Sequence, residues 1–290
     1  MNKAGADRTV LELLSKSASY LAAKGSPSPR LDAELLLSDV LGCSRIQLYV
    51  GFERPLDEKE VDAYRQAVMR RGRREPVAYI RGRKEFMGRD FQIGSETLVP
   101  RPETELMAEA GIEALKDVSE PHLAELCCGS GAPGISVALE FPGSRLLLSD
   151  ISEAALEVAQ RNIGIHGLSG RAEAVRSDLF NSWPGSLERG FDLIMANPPY
   201  IRTGEIEALE PEISVHEPRI ALDGGEDGLQ FYGRIAEGAL RWLKPGGAIV
   251  LEMGAGQAES VCGMLEKAGY AGISVRKDLL GTDRVAEARC

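Results

Sequence analysis

The chain contains 290 residues, enough for one or two domains with a sizeable core. Its formal net charge of −10 at pH 7 argues against a general nucleic-acid binder, because neutralising phosphates requires a basic surface. No apolar run approaches the roughly 18 residues of a membrane helix, and Met1–Asp7 lacks the apolar core of a signal peptide, so we predict a cytoplasmic protein.

One stretch departs from the acidic average. Residues 65–90 carry nine basic side chains against three acidic ones, a local excess of six positive charges. A solvated helix face explains such a run, and a contact to RNA or to an acidic partner is the alternative.

The cysteines and histidines follow no metal-binding pattern. The five cysteines include no Cys-x-x-Cys pair, and the three histidines stand in no ligand spacing. We therefore predict neither disulfides nor a metal site. The adjacent Cys127 and Cys128 are explained most simply as small apolar residues at the end of a buried strand.

Residues 1–75 show only helical patterns. Apolar residues from position 11 to 21 recur at helical spacing, and Ser28-Pro29 opens a second helix. Asp57 and Glu60 form a capping pair for a further helix. We predict a small helical bundle over 1–75 that recognises a partner or covers a cleft.

The next segment changes character. In residues 76–100, short apolar pairs alternate with Gly82, Gly88 and Gly94, which predicts a β-hairpin linker. It leads into Pro100-Arg101-Pro102-Glu103-Thr104-Glu105, in which prolines precede acidic residues. That order is typical of a rigid loop before a helix amino terminus, where carboxylates suit the helix dipole.

Strands and helices alternate over 101–290. Seven segments are candidate strands: 122–128, 145–149, 172–176, 191–196, 248–253, 272–276 and 284–289. Helical patterns between most of them predict a parallel sheet covered on both faces. The link from Asp278 to Asp283 is too short for a parallel crossover, so the last two strands are predicted to be antiparallel.

A candidate cofactor site follows the first of these strands. Gly129-Ser130-Gly131-Ala132-Pro133-Gly134 is a G-x-G-x-x-G loop, and the second strand ends at Asp150. Glycines let the backbone approach a ligand, and an acidic residue about 20 positions further on binds ribose hydroxyls. Asp178 and Leu179, at a third strand end, are placed to flank an adenine, with a cap or surface turn as the alternative for Asp178. Nicotinamide dinucleotides and S-adenosylmethionine both use such a site.

The fourth strand separates these cofactors. It ends in Asn197-Pro198-Pro199-Tyr200, whose prolines stiffen the turn and carry no N–H. The Asn197 side chain and exposed carbonyls can accept both hydrogens of an –NH₂ group beside the flat Tyr200 ring, although prolines also stiffen ordinary strand exits. A dehydrogenase usually needs a proton relay, and none stands out, whereas methyl transfer needs only a nucleophile held in line.

With these motifs, the chain resembles the bacterial glutamine-N5 methyltransferases that modify class I peptide-chain release factors, the PrmC/HemK family. The resemblance covers nearly the whole length. Besides the glycine loop and the Asn-Pro-Pro-Tyr turn, it rests on Glu75-Pro76-x-x-Tyr79-Ile80-x-Gly82, Glu85-Phe86, Leu98-Val99-Pro100-Arg101-Pro102-Glu103-Thr104-Glu105, Asp150-Ile151-Ser152, Ser177-Asp178-Leu179-Phe180, Glu217-Pro218, Ala221-Leu222-x-Gly224-Gly225-x-Asp227-Gly228-Leu229 and Leu280-Gly281-x-Asp283-Arg284-Val285.

The resemblance implies an α/β fold with three parts. The first part would be a substrate-recognising helical bundle at 1–75, and the second a β-hairpin linker at 76–100. The third would be a Rossmann-like, seven-stranded class I methyltransferase domain at 101–290 that depends on S-adenosylmethionine. The expected reaction methylates the side-chain amide of the glutamine in the Gly-Gly-Gln motif of a release factor, which modulates translation termination, and leaves S-adenosylhomocysteine. The expected partner is a class I release factor, with no stable nucleic-acid partner and no membrane, and the chain is expected to be a monomer.

The resemblance also implies residue roles. The residues expected to bind the cofactor are Glu125, Leu126, Cys127, Cys128, Gly129, Gly131, Asp150, Asp178, Leu179 and Asn197. Those expected to bind the substrate amide are Asn197, Pro198, Pro199 and Tyr200, with Asn197, Pro198 and Tyr200 as catalytic residues. The family loop is typically Asp-Leu-Gly-Thr-Gly-Ser-Gly; here Glu125 is one methylene longer than aspartate, and Cys127 replaces a glycine.

Other functions stay open at this point. A sister group with the same amide pocket methylates a glutamine on a ribosomal protein. An adenine or cytosine amino-methyltransferase should show a basic cleft, against the acidic charge of this chain. A binding protein that kept the fold but lost activity is suggested only by Cys127 and Pro133, and cofactor titration would test it.

Overall fold

The computed structural model describes residues 8–290, which form two compact units. The first comprises the chain up to Gly82 together with Glu210–His216, and the second comprises Arg83–Leu209 and Glu217–Cys290. Residues 1–7, where the sequence predicts no signal peptide, lie outside the described part. Within residues 8–290, every helix is too short or too polar to cross a bilayer.

The first unit is helical. Its helices are α1 (Val10–Ala23), α2 (Pro29–Leu41), α3 (Arg45–Val50), α4 (Glu58–Gly72) and α5 (Val77–Arg81), joined by α9 (Pro211–Ser214) from the later segment. The predicted capping pair is confirmed, because the Asp57 side chain accepts from the Glu60 N–H and the Glu60 side chain accepts from the Asp57 N–H. Gly42 ends α2 in the left-handed conformation, as the sequence predicts.

Most basic side chains between residues 65 and 90 form ion pairs within their own unit. These are Arg65, Arg70, Arg71, Arg74, Arg81, Arg83 and Arg89. Arg71 is 3% exposed and lies 2.6 Å from Asp32 and 2.8 Å from Glu212. Carboxylates of the same chain therefore neutralise much of the basic stretch, and the Arg71 pairs attach the segment at 210–216 to α4.

The β-hairpin occupies only part of the range predicted for it. Strands β1 (Arg83–Phe86) and β2 (Arg89–Gln92) pair antiparallel across a tight turn at Met87-Gly88, whose two residues both have positive φ. The first part of the range is helix α5 instead of strand. Val77 and Ile80 pack against the apolar core of the bundle, and this tertiary contact overrides the strand preference of Tyr79-Ile80.

The second unit contains the main sheet. A 3₁₀ turn at Pro102–Thr104 leads into α6 (Glu105–Leu115), as the proline-acidic loop predicts. The further elements are β3 (His122–Leu126), α7 (Ala132–Glu140), β4 (Arg145–Asp150), α8 (Glu153–Ile165), β5 (Ala172–Arg176), β6 (Phe191–Ala196), α10 (Tyr232–Ala239), β7 (Leu243–Glu252), α11 (Ala258–Ala268), β8 (Ala271–Lys277) and β9 (Asp283–Arg289).

The strand order of this sheet is β5-β4-β3-β6-β7-β9-β8. Strands β3 to β7 are parallel, and β9 is antiparallel to both β7 and β8, so the prediction of seven strands with a reversed final pair is confirmed. Residues of α6, α7 and α8 form an apolar core on one face, and those of α10 and α11 form a second on the other. The chain runs outward from β3 to β5 and then returns to β6 on the other side of β3, which makes β3 and β6 the switch point where such sheets bind ligands.

We expect Arg71→Met to lower the free energy of unfolding by about 3–5 kcal/mol, because it removes the buried partner of Asp32 and leaves Glu212 paired with Arg74 alone. Arg65→Met is the matched control, since the Arg65–Asp62 pair is solvent-exposed and should be worth below about 1 kcal/mol. Urea unfolding of both variants measures the difference. Equal losses would show that Arg71 does not hold the unit together.

Candidate active site

The carboxyl ends of three neighbouring strands meet at one edge of the sheet. The register pairs Leu126 of β3 with Ser149 of β4 and with Ala196 of β6. The residues that follow, among them Cys127, Asp150 and Asn197, therefore lie around the same point.

A cleft at this edge encloses about 1050 Å³ of empty space, solvent at its mouth included. It is lined by nine of the residues predicted for the site: Glu125, Cys127, Cys128, Gly129, Asp150, Asp178, Leu179, Asn197 and Pro199.

The remaining predicted residues lie outside this lining. Leu126 is buried in the apolar core that α10 and α11 cover. Gly131 has a φ of 74° before α7, and a β-carbon there would come within 2.6 Å of the Leu148 side chain. Pro198 and Tyr200 belong to the turn that carries Asn197. Their contact with a substrate stays a prediction.

Two features shape the glycine loop. Cys127 has a φ of 53°, so it keeps the left-handed backbone that suits the glycine typical of this position, at a cost of about 1–2 kcal/mol for a side chain. Glu125 is buried, and its Oε2 accepts a hydrogen bond from the Gly134 N–H at 2.8 Å in the first turn of α7. Burial raises the pKa of Glu125 to about 8, so this carboxyl is largely protonated at neutral pH.

Asp150 holds the glycine loop against the end of β4. Its two oxygens accept hydrogen bonds from the Gly129 N–H and the Ser152 N–H, each at 2.9 Å. Burial raises the pKa of Asp150 above its ordinary value. A carboxylate offers about four acceptor positions, so Asp150 keeps acceptor capacity towards the cleft that it lines.

Asp178 lies at the mouth of the cleft and forms a two-oxygen ion pair with Arg234, both contacts at 2.8 Å. The next residue, Leu179, is buried with a φ of 51°. Its carbonyl accepts a hydrogen bond from the Ser149 hydroxyl at 3.4 Å. Asp178 therefore has a structural partner as well as a place in the cleft lining.

Further cleft residues come from segments to which the sequence assigned no ligand role. They are Glu96, Thr97, Leu98, Pro100, Thr104, Pro218, Ile220, Ala221 and Phe231. Arg101 joins two of these segments, because its Nη2 donates to both oxygens of the buried Glu217 at 2.6 and 2.8 Å. The sequence did contain a signal for these segments, because the Pro-Arg-Pro-Glu-Thr loop and Glu217-Pro218 are both among the motifs on which the family resemblance rests.

The turn that carries Asn197 is held by Gln257. The Gln257 Nε2 donates to the Tyr200 carbonyl at 3.0 Å and to the Gly228 carbonyl at 3.1 Å. Its Oε1 accepts from the Gly254 N–H at 2.8 Å. Both hydrogens and the oxygen of this amide are thus used, and sequence reasoning missed Gln257 because no local pattern marks the residue.

Close backbone packing also supports the turn, and we refer to Gln257 together with this packing as the clamp. A β-carbon at Gly224 would lie 2.8 Å from the Pro199 carbonyl oxygen, and one at Gly228 would lie 2.5 Å from the Tyr200 carbonyl oxygen. Ile201 also exchanges backbone hydrogen bonds with this segment, donating to Leu222 and accepting from Gly224. The Ala221–Leu229 motif therefore contributes glycines that let two backbones meet behind the turn.

Glu252 lies at the carboxyl end of β7, beside the same turn. The Tyr200 hydroxyl donates to its Oε1 at 3.5 Å, and its Oε2 is buried. Burial raises the pKa of Glu252 to about 7, and burial also raises the pKa of Tyr200. The carboxyl group of Glu252 is therefore uncharged mainly below neutral pH.

Comparison with known proteins adds to this geometry. Residues 12–82 match the family model of the PrmC N-terminal domain, and residues 104–226 match that of the methyltransferase small domain. The release factor glutamine methyltransferase of Geobacter sulfurreducens is 41% identical over 284 residues, which span 97% of this chain and 96% of the relative. This chain belongs to the release factor glutamine methyltransferase family. The relative from Chlorobaculum tepidum is 39% identical over 282 residues, which span 95% of each chain.

The membership predicted from the motifs is thereby confirmed, and the chain is a methyltransferase. Solved structures agree on the fold at low identity. The hMettl16 catalytic domain in complex with the MAT2A 3′UTR hairpin 6 has a TM-score of 0.57 at 14% identity, over 80% of this chain and 82% of that one. A methyltransferase from Pyrococcus furiosus has a TM-score of 0.50 at 21% identity, over 71% and 91%. The predicted class I methyltransferase fold is confirmed.

We expect Gln257→Glu to lower the turnover number by about 10- to 100-fold, because the variant places carboxylate oxygens against the Tyr200 and Gly228 carbonyls and removes both donors. Steady-state methyl transfer measures the loss. Gln92→Glu makes the same change at an exposed strand position and should leave turnover unchanged. Turnover close to that of the unmodified enzyme in Gln257→Glu would refute the clamp.

We expect the buried carboxyl groups of this site to destabilise the protein as pH rises from about 5 to 8. The folded-state pKa of Glu252, about 7, lies above its ordinary value of 4.5, so this group's stabilisation is complete below pH 4.5 and is lost as pH rises through 7. Glu125 and Asp150 act in the same direction. Urea unfolding midpoints measured at pH 5, 6, 7 and 8 should decline less with pH in Glu252→Gln than in the unmodified protein. An equal decline in both proteins would contradict the raised pKa of Glu252.

Proposed function

We propose that this chain transfers a methyl group from S-adenosylmethionine to the side-chain amide nitrogen of the glutamine in the Gly-Gly-Gln motif of class I release factors, and so modulates translation termination. The observation that carries the proposal is that Asn197, in an Asn-Pro-Pro-Tyr turn, lines the same cleft as Asp150 and the glycine loop. Membership of the release factor glutamine methyltransferase family supports it.

The residues of the cleft fit this cofactor. Glu125 and the loop from Cys127 to Gly129 would hold its methionine part, Asp150 its ribose, and Asp178 with Leu179 its adenine. The Asp150 carboxylate would accept hydrogen bonds from the ribose hydroxyls, and Gly129 opens onto the cleft without a side chain. When bound, S-adenosylmethionine supplies a methyl group that is already activated on a positively charged sulfur.

The substrate amide needs help from the turn. An amide nitrogen is a poor nucleophile because its lone pair is delocalised into the carbonyl. The Asn197 side-chain oxygen and the Pro198 carbonyl would accept the two N–H hydrogens, which orients the nitrogen and stabilises positive charge as it develops. The methylated nitrogen is strongly acidic, so its extra proton leaves readily and no base is required beforehand.

Two features of the turn support this assignment of acceptors. The Tyr200 carbonyl is already bound to Gln257, which fixes the direction of the peptide groups before it. The prolines contribute carbonyls without N–H groups that would repel a donor. A rigid pair of acceptors keeps its geometry as charge forms, which is the condition for electrostatic catalysis.

The alternative substrates would also present an –NH₂ group to the same turn. A glutamine on a ribosomal protein would use the same amide pocket, and an amino group of a nucleic-acid base would present a similar –NH₂ edge. The ion pairs of the arginines between residues 65 and 90 reduce the basic surface available for phosphates. We infer a release factor as the partner, a cytoplasmic location where translation occurs, and a monomeric enzyme.

We expect Asn197→Ala to lower the turnover number on a release factor by about 10²- to 10³-fold, because it removes one of the two acceptors for the amide. The dissociation constant of S-adenosylmethionine, measured by calorimetry, should change comparatively little, since Asp150 and the glycine loop stay in place. Comparable losses of turnover and of cofactor affinity would contradict the separate substrate role of Asn197.

A further inference from the structure

The turn between β8 and β9 presents two leucines to solvent. Leu279 is 105% exposed and Leu280 is 91% exposed. Neither side chain contributes to the apolar cores of the second unit, so burial within that unit does not explain them. Large apolar side chains in such positions are candidates for contact with another molecule.

The backbone of this turn is held firmly. Asp278 Oδ1 accepts hydrogen bonds from the Leu280 N–H and the Thr282 N–H, each at 2.9 Å, and its Oδ2 accepts from the Arg284 Nε at 3.0 Å. Backbone hydrogen bonds join Asp278 to Thr282 and to Gly281. The leucines are therefore displayed on a preorganised loop, which lowers the ordering cost of binding.

The turn lies at the edge of the sheet where the cleft opens. Because β9 is antiparallel to both β7 and β8, strands β7 and β8 run in the same direction. The end of β8, and the turn that follows it, consequently share an edge with the carboxyl ends of β6 and β7. Three strand spacings of about 4.8 Å separate β6 from β8, so the turn is displaced sideways by about 14 Å from the end of β6.

Most exposed large apolar side chains of the second unit lie at this edge of the sheet. Among the described residues of that unit, the exposed large apolar ones are Ile151, Ile165, Ile220, Leu279 and Leu280. Ile151 and Ile220 line the cleft, and the two leucines lie at the same edge. Only Ile165, at the end of α8 just before the start of β5, belongs to the opposite edge.

A protein that inserts a glutamine at the Asn197 turn must cover this edge. A standard interface buries about 800 Å² on each partner, which corresponds to a disc of about 16 Å radius. Such a disc centred on the end of β6 reaches the leucine turn at about 14 Å. An apolar contact at that distance from the glutamine would be made by the body of a folded substrate rather than by its glutamine loop.

We propose that the turn carrying Leu279 and Leu280 is a docking site for the folded protein substrate, which would place an apolar patch against it while its glutamine enters the cleft. This inference rests on the proposed function and adds a specificity surface to it. It also gives a role to the Leu280–Val285 motif, whose Asp283 pairs with Lys277 at the base of the same hairpin.

The test compares an intact class I release factor with a five-residue peptide centred on its glutamine. Two residues on either side reach only about 7 Å, short of the turn. In the double variant Leu279→Ser/Leu280→Ser, the KM for the intact protein should rise about tenfold with the turnover number unchanged. The kcat/KM for the peptide and the dissociation constant of S-adenosylmethionine should not change.

Ile165→Ser is the matched control, because it removes an exposed apolar side chain at the opposite edge. It should leave the KM for the intact protein unchanged. Three results for the double leucine variant would each overturn the docking proposal. They are an unchanged KM for the intact protein, equal losses of kcat/KM on the intact protein and on the peptide, and a molar mass in solution that differs from that of the unmodified enzyme. Failure of the unmodified enzyme to methylate the release factor would instead overturn the proposed function.

Discussion

Parallel pairing of β3, β4 and β6 is the constraint on which the site depends. It brings three strand ends to one edge, so that a carboxylate, a glycine loop and an amide side chain converge although they lie far apart in the chain. Side-chain hydrogen bonds then fix the backbone around each of them. Asp150 accepts from the Gly129 N–H, Glu125 accepts from the Gly134 N–H, and Gln257 donates to the Tyr200 carbonyl. The cleft is thus built mainly from backbone positions that side chains keep in place.

This construction divides the chemistry between two parts of one cleft. Buried acids with raised pKa values lie on the proposed cofactor side, where a positively charged ligand would compensate for the cost of ionising them. The proposed substrate side offers neutral acceptors, which suit an uncharged amide. The Arg101–Glu217 pair links the loop before α6 to the segment before Ile220, so two segments of the cleft lining are joined by one ion pair.

Local patterns in the sequence predicted most of the fold. The apolar segments marked all seven strands, and the short link after β8 predicted the reversed pair. The β-hairpin predicted for residues 76–100 begins only at Arg83, because packing of α5 in the helical bundle outweighed local strand preference. Gln257, Glu252 and the attachment of the segment at 210–216 through Arg71 were not predictable, since their partners lie far away in sequence and only the folded chain brings them together.

The most direct test is mass spectrometry of the Gly-Gly-Gln peptide of a class I release factor, after incubation of the intact factor with this enzyme and S-adenosylmethionine. Ribosomal proteins incubated in parallel provide the competing substrate. We expect a gain of one methyl group on the glutamine of the release factor and none on the ribosomal proteins. A methyl group on a ribosomal-protein glutamine instead, or no methyl group on either despite measurable cofactor binding, would contradict the proposed function.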